Sequence, residues 1–217
     1  MNTFLRRTLV GLALVACPAI TEAQILSNLT GGTLLQGSDI GFSVKAVGLT
    51  IGANPFAFTS MRALLNSEPF GLIPGSVTGG IYSNVGGNPS TLLSSFNTVN
   101  VPTAGQDFIA TFTLGSAFTM NAGSTYWFVL RDLANPNGSA AVWRANDVAP
   151  VASAGVGFAG YRVSIDGLAT WTTSGIMNRV QIEGNVIGSS TVPEPATYAM
   201  VLVGLIGIVT ARRRRSV

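Results

Sequence analysis

The chain has 217 residues and a formal charge of +3, room for one ordinary domain plus processing segments. Six of its twelve basic residues sit at the extremities, and between Gln24 and Val192 six basic residues face seven acidic ones, so the middle carries −1 and lacks the clustered Lys and Arg of a nucleic-acid-binding face. There is no histidine, and the single cysteine is Cys17, which excludes Ser-His-Asp and Cys-His nucleophiles and the usual zinc, copper, haem or iron–sulfur ligand sets from the chain after it.

Residues 1–23 read as a secretory signal peptide. Arg6 and Arg7 form a positive n-region, Thr8 to Ala16 a short apolar stretch, and Thr21-Glu22-Ala23 a small-x-small cleavage site. Signal peptidase is therefore expected to cut between Ala23 and Gln24. About nine apolar residues are too few to cross a ~30 Å hydrocarbon layer as a helix. Two other signals overlap this one. Leu14-Val15-Ala16-Cys17 resembles a lipobox, with Pro18 and the site at Ala23 counting against acylation of Cys17. Arg6-Arg7-Thr8-Leu9-Val10 loosely matches a twin-arginine signal.

From Gln24 onward, Gly, Ser, Thr and Asn interrupt short apolar stretches with no long run of 3.6 period, the texture of an all-β chain. Strands are predicted at 40–47, 56–65, 79–83, 108–114, 126–130, 141–144, 161–165 and 179–184. Turns are expected at Gly52-Ala53-Asn54-Pro55, Gly86-Gly87-Asn88-Pro89 and Asn135-Pro136-Asn137-Gly138. Eight strands spaced this way favour a β-sandwich, jelly-roll-like, over residues 24–190. With no disulfide, core burial alone must hold this ectodomain, which about 170 residues can supply.

Short motifs in this segment, among them Phe42-Ser43-Val44, Gly80-Ile81-Tyr82-Ser83, Tyr126-Trp127, Trp143 and Ser164 through Trp171, occur in the order of the choice-of-anchor R ectodomains, which the segment resembles. That resemblance implies a domain attached by a sorting tail and names no ligand. Within it, Ser164-Ile165-Asp166-Gly167-Leu168-Ala169-Thr170-Trp171 resembles one copy of an Asp-box hairpin, with Leu168 where the usual glycine stands. It is expected to be structural: Asp166 bonding local backbone, Trp171 packing beneath.

The domain acids are dispersed, and nothing in the sequence pairs two of them as a glycoside hydrolase requires. No D-x-D-x-D calcium loop is present, although Asp132, Asn135 and Asn137 share one expected turn. No metal site and no cofactor is expected, and the chain reads as a non-enzyme. Trp127, Trp143 and Trp171 could instead stack on sugar rings. A carbohydrate-binding module of that kind requires at least two of them exposed on one face.

Residues 191–217 have three parts: Val192-Pro193-Glu194-Pro195, an apolar segment at 198–211, and the cluster Arg212, Arg213, Arg214 and Arg215. The two prolines hold the first part extended, readable by a protease. The apolar part is short of the ~20 residues of a stable span, and arginine stems can snorkel to lengthen it. By the positive-inside rule the arginines stay cytoplasmic. This tail resembles a PEP-CTERM sorting signal, found on exported proteins of Gram-negative bacteria and recognised by the membrane protease-transferase exosortase. The resemblance implies an inner-membrane-anchored intermediate held by a C-terminal transmembrane sorting helix, then processing and release to the cell surface or extracellular matrix. It also implies a setting of exopolysaccharide production. The sequence-level expectation is thus a structural or adhesive surface protein, with sugar binding through Trp and Tyr as the alternative.

Overall fold

The computed structural model describes residues 23–67, 75–102, 105–132 and 141–188. Within them the chain runs as strands and turns, beginning with β1 (Ala23–Ser27), β2 (Leu34–Asp39), β3 (Val44–Ile51) and β4 (Phe56–Ser67). Next come β5 (Ser76–Val85), β6 (Asn88–Ser95), β7 (Val99–Asn100), β8 (Asp107–Phe112), β9 (Phe118–Met120) and β10 (Thr125–Asp132). The last six are β11 (Ala141–Asn146), β12 (Val151–Ala152), β13 (Val156–Ser164), β14 (Thr172–Thr173), β15 (Met177–Asn178) and β16 (Val180–Val186).

Two sheets form. The first has the order β12-β1-β16-β4-β11-β15, with β2 on β11 and with β8 and β9 both on β4. The second has the order β14-β13-β3-β10-β5-β6, with β7 on β5. Their apolar faces meet in one core: Phe58 of the first sheet lies 5.6 Å from Phe128 of the second, ring centre to ring centre, with Phe96 and Phe112 beside them.

β4 shows how sequence pattern and register are fitted. It buries Phe56 and Phe58, then switches phase and buries Met61, Ala63 and Leu65. Period-2 alternation cannot change phase in a regular ladder. The switch coincides with a bulge: Phe58 pairs with Gly184 and Ser60 with Glu183, leaving Thr59 as the extra residue.

The expected all-β, two-sheet architecture is the one observed. All eight expected strand regions hold strands, but the first runs Val44–Ile51 rather than 40–47, because Asp39 Oδ1 accepts from the N–H groups of Gly41 (2.8 Å) and Phe42 (3.2 Å) and turns the chain there. Asn88 and Pro89 open β6 instead of completing a turn. No helix among the described residues is long and apolar enough to cross a membrane. The signal segment up to residue 22, the turn at 135–138 and the tail 191–217 lie outside the described residues.

Candidate functional site

Trp143 is fully buried in the inter-sheet core and donates from Nε1 to the carbonyl of Arg179 at 2.8 Å. Trp127 is 1% exposed. It lies on the opposite face of the second sheet, flat over Gly48, where a Cβ would come within 2.7 Å of the indole. Its Nε1 donates to Asn84 Oδ1 at 2.9 Å, and the Arg162 guanidinium stacks 5.0 Å above the ring. Trp171 is half-buried against the same outer layer, with Val44, Ala46, Tyr82 and Val129. The two exposed tryptophans on one face that the sugar-binding alternative requires are therefore not found. Trp127 and Trp143 are covered on different faces, because their large apolar rings gain more from packing than from water.

Arg162 is the residue that sequence reading missed here. Its Nε donates to Gly87 O and Asn88 Oδ1, each at 3.0 Å, so it ties the β5–β6 turn down over Trp127. No local pattern announces that contact.

The turn after β13 matches its expected role. Asp166 accepts from Ser164 Oγ at 2.8 Å and from the Thr170 N–H at 2.9 Å, and the Thr170 hydroxyl donates to its other oxygen. The Thr170 bonds, then Ser164, hold the Asp166 carboxyl down to about 2. Leu168 takes the glycine position with φ +88°, a conformation that β-carbon sterics disfavour.

Other charges are committed to partners that the fold brings from far along the chain. Arg179 donates to the carbonyls of Leu29 (3.3 Å), Gly31 (3.1 Å) and Gly32 (3.1 Å). Asp147 Oδ1 accepts from the Thr33 N–H at 2.7 Å, which lowers its pKa. Asp107 pairs with Arg144 at 3.1 Å and accepts from Asn66 Nδ2 at 2.6 Å. Glu183 accepts from Ser60 and Gln181. These acids each brace a separate loop or sheet face, and no group of three or more His, Cys, Asp or Glu among the described residues is placed to hold a metal ion. The chain's single lysine, Lys45, is buried at the end of β3 with its Nζ 3.4 Å from Ser174 Oγ, and burial lowers its pKa.

A shallow groove of about 320 Å³ is lined by Ser83, Asn84, Leu93, Ser124, Thr125 and Tyr126. Its lining is neutral, and its amide is already engaged by Trp127.

The expected signal-peptidase cleavage position, Ala23–Gln24, falls within β1: Ala23 pairs with Gly184 and Gln24 with Glu183. The sorting residues Val192, Pro193, Glu194 and Pro195 and the cluster Arg212–Arg215 lie outside the described residues, a few positions beyond β16. Residues 191–215 match the family model described as the PEP-CTERM protein-sorting motif. No curated protein and no solved structure matches the chain. The motif indicates exosortase-dependent, membrane-associated sorting of an exported protein.

Proposed function

We propose that this is a non-catalytic structural or adhesive protein of the cell surface or extracellular matrix. Signal peptidase releases Gln24 as the first residue; the apolar segment 198–211 then holds the chain in the inner membrane until exosortase cuts near Val192–Pro195. The sorting-motif match at 191–215 is the observation that carries this reading. The bonded charges among the described residues support its non-catalytic part: Asp147, Asp166, Arg179 and the Asp107–Arg144 pair brace turns and sheet faces. We assign the ectodomain to the choice-of-anchor R type on the motif order from Phe42 to Trp171, and exopolysaccharide as the material among which it works.

Mass spectrometry of both termini, on protein from an exosortase-bearing host, tests this. The expected result is a start at Gln24 and a C-terminus near Glu194, with the tail retained in a Pro193→Ala, Pro195→Ala double variant. An acylated Cys17, or wild-type protein still ending at Val217, would overturn the release step.

A further inference from the structure

The strand registers give the sandwich two unlike ends. β1 starts and β16 finishes at the same end, since Ala23 lies opposite Gly184 and Val186 opposite Phe56. The turns at 52–55, 121–124 and 153–155 sit there too. Gly52 N–H donates to Gly155 O (2.8 Å), Gly123 N–H to Gly52 O (2.9 Å), and Ile187 N–H to Pro55 O (2.8 Å). None of these turns holds a charged residue, nor do residues 184–188, where Val186 and Ile187 are exposed. Asp39, Lys45, Asp132 and Asp166 all belong to the opposite end, set there by the pairings Val142–Asp39 and Leu130–Lys45 and by the turn after β13. Two charges come near this end: Glu183 lies on a sheet face bonded to Ser60 and Gln181, and Arg162 reaches Gly87 O in the β5–β6 turn, which the pairing Tyr126–Ser83 sets at the same end.

Chain length then biases which end meets the membrane. From Gly188 to Tyr198, where the apolar segment starts, ten flexible residues reach about 17 Å on average. The turns at 40–43 and 52–55 are separated by the eight residues of β3, a rise of about 26 Å. At its average reach the tether is too short to fold back along the domain and set the charged end on the bilayer. The signal segment, leaving through Ala23, pulls toward the same side until it is cut.

We infer that the neutral end is a lipid-facing surface: while the tail is uncut, the domain stands on the outer headgroups of the inner membrane through the turns at 52–55 and 121–124. This rests on the anchoring proposed above. Placing charge-free turns against the bilayer avoids desolvating ionised groups, and the charged end is left facing outward.

The test uses the full chain in a Cys17→Ser background, made without exosortase and reconstituted in phosphatidylcholine–phosphatidylglycerol vesicles carrying a headgroup nitroxide. A fluorophore is attached at Asn54→Cys, Ala122→Cys or Ile165→Cys, all exposed positions. Quenching several-fold stronger at Asn54 and Ala122 than at Ile165 is expected. Equal or reversed quenching on protein that floats with the vesicles would overturn the orientation. Protein that does not float would instead overturn the anchoring, so the two failures separate. A Gly-Ser insertion of about twenty residues after Gly188 lengthens the average reach of the tether from about 17 to about 30 Å and is expected to level the contrast. A contrast unchanged by it would overturn the tether as the cause.

Discussion

The two faces of β10 are almost equally buried and quite differently covered. Tyr126, Phe128 and Leu130 point into the inter-sheet core and meet a whole opposing sheet. Trp127 and Val129 point the other way, yet Trp127 is 1% and Val129 0% exposed. What covers them is an arginine stem, Leu168, Trp171 and the β5–β6 turn. Burial alone therefore does not rank the two layers. The cost of emptying a site depends on how far its surroundings can close over the space.

That gives the largest expected effect. Phe128→Ala leaves a hole between two hydrogen-bonded sheets that cannot approach each other, and should cost about 3–5 kcal/mol. Trp127→Ala removes a larger ring, but Arg162 and the turn it holds can settle into the space, so about 2–3 kcal/mol is expected. Urea unfolding of the purified variants decides. Equal losses would mean that the outer layer is as rigid as the core, and the contrast would be gone.

Lys45 sharpens the same comparison from the inner side. It shares its side of β3 with Val47 and Leu49, and pairs across the sheet with Leu130 and Val163. Among the described residues its ammonium has a long hydrogen bond to Ser174 Oγ, at 3.4 Å. With a folded pKa below 10.5, the folded state is penalised for the buried charge at neutral pH. Between the folded and unfolded values the unfolded chain binds more protons, so stability rises with pH there and the penalty is gone above about 10.4. Lys45→Met should therefore stabilise at pH 7 by about 1 kcal/mol. The gain should shrink as the pH climbs toward 10.4. The difference between wild type and variant is the quantity to follow, because buried Tyr161, whose pKa is raised, opposes the trend in both. A pH-independent gain would place the Lys45 amine in water.

Legibility followed the range of the interactions. The sorting motif of the tail could be read because its three parts are contiguous, and the Asp166 turn because its bonds span four residues. The long strands were visible through their apolar runs, whereas β12, β14 and β15, of two residues each, exist only because a neighbour's register recruits them. β6, with Thr91 to Leu93 exposed, has no alternation to read. The tryptophans were ambiguous for the same reason. Nothing near Trp127 in sequence announces that Asn84 and Arg162 will close over it. Equally, the neutrality of one end came from uncharged turns scattered along the chain, which only the fold gathers.

Leu168 offers the smallest effect and the finest probe of the outer layer. Its φ of +88° costs about 1–2 kcal/mol relative to glycine. Against that, its side chain packs on the outer layer, contributing about 1 kcal/mol at partial burial. Glycine would add about 0.5–1 kcal/mol of unfolded-state entropy to the cost. Leu168→Gly should thus be close to neutral in wild type. In a Trp127→Ala background the packing has lost its largest partner while the backbone strain is unchanged, so the same substitution should stabilise, with a coupling of about 0.5–1 kcal/mol. Strict additivity in a double-mutant cycle would remove Leu168 from the outer layer and leave the Arg162 clamp to cover Trp127 alone.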